Sequence, residues 1–174
     1  MSSFATVYPI LADRLAAEVP GLGWIDLDQD QLTPDGQLQE YALPFHAGVV
    51  LIDFDEADWR DIGEGIQRGD AVVRVTLAVQ VVADSYQHST QRSQALEKLE
   101  RLDDIHRALQ HFDGGGHFGA LVRTYSRKEQ SELPGIWQHS MGYKVLLTDT
   151  EGYTGATQTV SGLEPAARGE FVLP

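Results

Sequence analysis

Apolar and polar positions follow two rhythms along this chain, and each rhythm predicts a kind of element. Phe4, Val7, Leu11 and Leu15 recur at steps of three or four, the spacing of a single helix face. Ser2 or Ser3 is placed to cap this helix. Pro9 sits inside this run, so the alternative is a helix that begins later than Ser3, with the proline in its first turn, where a missing N–H matters least. Pro20, Gly21 and Gly23 end the helix. Trp24 to Leu32 then alternates loosely, with Trp24, Asp26, Asp28 and Asp30 on one side and Ile25 and Leu27 on the other, which predicts a short strand. Thr33-Pro34-Asp35-Gly36 signals a turn. Ala47 to Phe54 is short and rich in branched residues, which suits a central strand.

Asp55 to Arg68 is polar and contains Gly63 and Gly65, with Gly69 following; it predicts a loop with turn glycines. The longest alternation comes next. Ala71, Val73, Val75, Leu77, Val79, Val81 and Ala83 share one face, and Arg74, Thr76 and Gln80 lie on the other with Val72, Ala78 and Val82. Such a strand spans roughly 40 Å, so part of it is expected to project as a hairpin arm. A second helix is predicted from Ser89 to Phe112, with Leu96, Leu99, Leu102, Ile105, Leu109 and Phe112 as its apolar stripe and Glu97–Arg101 as an i,i+4 ion pair. Asp113 to Gly116 stops it. Leu121 to Lys128 and the alternating stretch Trp137 to Leu147, joined by Leu133-Pro134-Gly135, predict a closing hairpin.

This order predicts an α+β fold: a mostly antiparallel sheet of about four to five strands, two helices packed on one face, a projecting β-arm and an irregular C-terminal tail. Residues 1–148 form a single domain, and 149–174 an extended tail rich in Gly, Thr, Ser and Ala.

Composition narrows the function classes. The 42% apolar and 22% charged fractions suit a globular domain. A net charge of -13 argues against specific nucleic-acid binding, which depends on Lys and Arg neutralising phosphates. No stretch reaches the ~20 apolar residues of a membrane span, and the first residues lack the basic start of a signal peptide. The absence of cysteine excludes disulfides and thiolate zinc sites, and a reducing cytoplasm is the simplest compartment.

The search for chemistry yields little. Asp26, Asp28 and Asp30 begin like a calcium loop, but Gln31 and Gln37 stand where glycine and glutamate are required. No serine elbow or phosphate-cradling glycine motif is present. His106 and His111 fall on different helix faces, and neither they nor His117 make a metal set. His139 on an apolar strand face is expected to be a hydrogen-bonded core residue. No catalytic, cofactor-binding or metal-binding residue is assigned. The alternative is a small enzyme or metal- or ligand-binding domain using the carboxylates Asp53, Asp55, Glu56 and Asp58.

One resemblance extends over residues 4–148. The initial helix ending at Pro20, Trp24-Ile-Asp-Leu-Asp, and Phe45-His-Ala-Gly-Val-Val-Leu-Ile-Asp-Phe belong to it. So do Trp59 with Gly63, Gly65, Gln67 and Gly69, the long strand, the second helix and the closing strand pair. Together these resemble tail-terminator, or tail-completion, proteins of long-tailed phages and prophages. The resemblance implies a non-enzymatic homo-oligomeric ring, commonly a hexamer, that caps the tail tube and joins it to head-tail connector proteins. It implies assembly in the host cytoplasm and residence in the virion tail. Interface candidates are Trp59, as a partner anchor unless it folds back over the sheet, then Arg74, Thr76 and Gln80 on an exposed strand face, and Phe171 in the tail.

Overall fold

In the computed structural model, which describes residues 3–34, 42–81 and 83–153, the first helix, α1, spans Ser3–Glu18. Its stripe Val7, Leu11, Leu15 and Val19 is buried, as its spacing demands. Pro9 lies inside α1 and not in its first turn. The helix tolerates it because both Pro9 and Ala5, whose carbonyl loses its partner, face solvent. The second helix, α2, spans Arg92–Leu109. It is shorter than expected at both ends: Ser89 lies in a preceding turn, where its hydroxyl accepts from the Gln91 N–H at 3.1 Å, and Phe112 lies beyond it. Ala95, Leu102, Ile105, Ala108 and Leu109 are buried. Leu99, which the periodicity puts in the apolar stripe, is exposed, at the edge of the face that Ala95, Leu102, Ile105 and Leu109 bury.

The five strands are β1 (Trp24–Leu27), β2 (Val49–Gly63), β3 (Ile66–Gln80), β4 (Val122–Glu129) and β5 (Ile136–Asp149). They form one sheet in the order β1-β2-β3-β5-β4. β1 runs parallel to β2; every other pairing is antiparallel. The α+β expectation therefore holds. β1 is only four residues long, however, and stops at Leu27 well before Leu32.

The largest departure is the stretch Asp55–Arg68, which is strand and not loop. β2 and β3 form one long hairpin that turns through Glu64 and Gly65, both at positive φ (57° and 79°). That is the two-residue geometry whose twist matches the flanking strands. Beyond Ala57 and Trp59, which pack against the core, the segment is polar because its strands see solvent on both faces, so the amphipathic signal of a half-buried strand never develops. β3 accordingly begins at Ile66 and ends at Gln80, where Ala71–Ala83 had been expected. Gly69 sits within it, paired with Trp59, and is no turn glycine.

Both helices cover one face. There the core joins Val7, Leu11 and Leu15 of α1 and Ile105 and Leu109 of α2 to Val50, Ile52, Val73, Val75, Leu77, Met141, Tyr143 and Val145 of the sheet. The opposite face is divided. At one end a small cluster, Leu43, Val49, Leu51 and Ala78, is roofed by Trp24, Leu32 and Phe45. The remainder is polar.

Candidate functional site

Strand alternation places Arg74 and Thr76 on that second face, between the core residues Val73, Val75 and Leu77 of the first. Arg74 is paired with Asp53 in β2 and Gly142 in β5, and Thr76 with Leu51 in β2 and Ser140 in β5. Arg74 is the centre of a carboxylate cluster: one Nη bonds Asp53, the other lies 3.3 Å from Asp55, and Asp28 approaches to 4.0 Å. Asp55 lies in the bulge that follows Phe54. The Tyr125 hydroxyl donates to Asp55 at 3.3 Å. Burial alone would make Arg74 easier to deprotonate, but Asp55 and Asp53 overcome it and raise its pKa. Burial also raises the Tyr125 pKa, and Asp55 adds to the effect.

Beside this cluster Thr76 and Ser140 share a buried hydroxyl–hydroxyl bond of 2.9 Å. A groove of about 230 Å3 runs past Asp28, Arg74, Thr76, Arg127, Glu129 and Ser140. The Glu129 pKa is lowered although burial opposes this, because Arg127 bonds its carboxylate at 2.8 Å. His139 is hydrogen-bonded, as expected, but is half-buried and not a core residue; its Nε2 shares a 2.8 Å bond with Ser126, and burial lowers its pKa.

Two glycines let aromatic rings lie flat on the strands. A Cβ on Gly142 would stand 2.1 Å from the Tyr125 ring, and one on Gly69 would stand 2.7 Å from the Trp59 ring. In both pairs the ring sits over the glycine directly opposite in the neighbouring strand, covering backbone that the glycine leaves bare.

Asp28 loses more by burial than it gains from Arg74 and the Asp30 N–H, so its carboxyl pKa is raised above the ordinary value near 3.8. The sign follows directly. The folded state holds this proton more tightly, so ionising Asp28 opposes folding. That cost is absent below pH ~3.8 and complete once the pH exceeds the raised value. Asp28→Asn is therefore expected to stabilise the fold at pH 7 by up to ~1 kcal/mol and to match the wild type near pH 3. Urea denaturation at the two pH values checks it; a loss of stability at pH 7 would mean that Arg74 outweighs desolvation.

The sequence candidates separate in space. Trp59 folds back over the sheet, half-buried, with its ring over Gly69 and 6.2 Å from Phe4. Arg74 is half-buried among its carboxylates. Thr76 is only 6% exposed and so does not line an exposed face; its hydroxyl bond to Ser140 lets a polar residue sit there. Gln80 is exposed at the end of β3. Phe171 lies outside the described residues. The carboxylate set Asp53–Asp58 divides as well: Asp53 and Asp55 meet Arg74, whereas Asp58 lies across from Asp70. Among the described residues no group of three His, Asp or Glu side chains is arranged to hold a metal ion. The meeting of Asp28 and Tyr125 with Arg74 had no local signal, because it depends on strand order.

No family model matches this chain, and no curated protein matches it.

Among the described residues, no helix is long and apolar enough to cross a membrane.

Proposed function

We propose that this chain is a structural subunit of a phage-type tail, a ring-forming terminator that closes the tail tube and offers a surface to the head. The arm carries this reading. Beyond the Trp59–Gly69 pair, β2 and β3 continue for roughly 15 Å at the usual rise per residue, with β5 alongside as far as Asp149. Arg60 to Gly65 are all exposed, and Ile62 is 53% exposed near the tip. An ordered three-stranded extension with an exposed isoleucine near its tip buries little in its own subunit and has the form of an element that reaches a neighbour.

The sheet edges support a head-to-tail arrangement. The β4 edge carries Arg123, Arg127 and Lys128, whereas the β1 side carries Asp26, Asp28 and Asp30. A ring needs two different patches per subunit, and opposite charge orients them. In this reading the subunits assemble in the host cytoplasm and end in the virion tail, with tail-tube and connector proteins as further partners. No reaction is required.

Replacing residues 60–68 with Asn-Gly joins Trp59 to Gly69 through a tight turn and keeps the aromatic clamp. The shortened chain is expected to keep its cooperative unfolding and to lose assembly. Size-exclusion chromatography with light scattering, over a concentration series with and without tail-tube protein, reads this. A wild-type chain that stays monomeric throughout, or a shortened chain that assembles equally well, would refute the proposal.

A further inference from the structure

A second feature lies away from the polar groove. Between the first turns of α2 and the end of β3 is a cavity of about 80 Å3, lined by His46, Gln80, Gln94, Glu97, Lys98 and Arg101 among others. Its volume is several times the roughly 10–15 Å3 that a single water requires, which is room for one small polyatomic group.

The cations around it are unusual for this chain. Acidic residues outnumber Lys and Arg by 26 to 13, and Arg14, Arg74, Arg107, Arg127 and Lys144 each have a carboxylate within 4.0 Å. Among the described residues, the cations without such a partner are exposed, with two exceptions. Lys98 and Arg101 are half-buried, and both line this cavity. Glu97 was expected to pair with Arg101 and makes no ion pair with it, remaining exposed at the rim.

The backbone accommodates the guanidinium. Gly48 has φ +88°, and a Cβ there would stand 2.8 Å from Arg101 Nη1; the glycine leaves the space that Arg101 occupies. Lys98 also lines the cavity, and its Nζ lies 5.3 Å from the centre of the Trp137 ring. Neither side chain makes a hydrogen bond or ion pair with a described residue, so their N–H groups are open to an external acceptor.

We propose that this cavity is an oxyanion site in which Arg101 and Lys98, with His46 and Gln94 at the rim, hold one phosphate or carboxylate group. The assignment is independent of the assembly reading. A guanidinium supplies paired N–H donors to two oxygens of such a group, and the ammonium supplies a third direction.

The test is a titration of the full chain at pH 7 with sodium phosphate and, separately, sodium acetate, using sodium chloride at matched ionic strength as the control. Tryptophan fluorescence reads it, because Trp137 lies against Lys98. A saturable change with phosphate or acetate, absent with chloride and weakened at least about tenfold in Arg101→Gln, is expected; the arm that saturates at lower concentration identifies the preferred anion. Lys98→Gln, with folding checked by circular dichroism, provides the same comparison if Arg101→Gln fails to fold. A response that only follows ionic strength, or that persists unchanged in the folded variants, would overturn the assignment.

Discussion

Replacing Tyr143 with alanine is expected to cost about 3–5 kcal/mol of stability, the range for removing a large aromatic side chain from a core. Tyr143 is fully buried at the centre of β5. It stacks against His106 of α2 with ring centres 6.2 Å apart, so its loss opens a void where α2 meets the sheet. Its hydroxyl contributes much less: it lies 3.4 Å from His106 Nδ1 and 3.6 Å from Met141 Sδ, both long contacts. Tyr143→Phe should therefore lose about 1 kcal/mol or less. Burial raises the phenol pKa well above its ordinary 10.0. The unfolded chain releases that proton above pH ~10 while the folded chain retains it, so stability falls as the pH rises past 10. Tyr143→Phe removes this part of the alkaline decline. Urea denaturation of both variants, at pH 7 and above pH 10, tests these statements together; equal losses in the two variants would place the energy in the hydroxyl and not in the ring.

Gly142→Ala is expected to be the second large effect, at about 1–3 kcal/mol, although it adds only a methyl group. That carbon would stand 2.1 Å from the Tyr125 ring. The ring must leave, and with it goes the bond to Asp55 that ties the β4 edge to the Arg74 cluster. The cause is steric and local to one pair, so Tyr125→Ala in the same chain should recover part of the loss. A double-mutant cycle measures this, with an expected coupling of about 0.5–3 kcal/mol. Strict additivity would show that Gly142 is required for some reason other than the ring.

The core was legible in the residues wherever one side of an element is buried and the other is not. Val7, Leu11 and Leu15 announce α1, Val73, Val75 and Leu77 announce β3, and Met141, Tyr143 and Val145 announce β5. The candidate site was legible only in fragments. Arg74, Asp53 and Asp28 each stood out, but under separate ideas: a strand face, a carboxylate pair and a failed calcium loop. A polar residue in a strand reads as facing water, but Thr76 is buried, and the partner that permits it, Ser140, lies 64 positions away.

By itself, then, the order of side chains determined the helices, the β3 and β5 strands, the face each presents to the core, and the acidic character of the surface. These properties follow from local periodicity and composition, which need no knowledge of neighbours. Tertiary structure decided that Asp55–Arg68 is an extended hairpin, that β1 runs parallel to β2, that three aspartates surround Arg74, and that Lys98 and Arg101 share a cavity. Each of these depends on which strand or helix lies alongside which, and pairing between distant segments leaves no repeat in either partner from which it can be read.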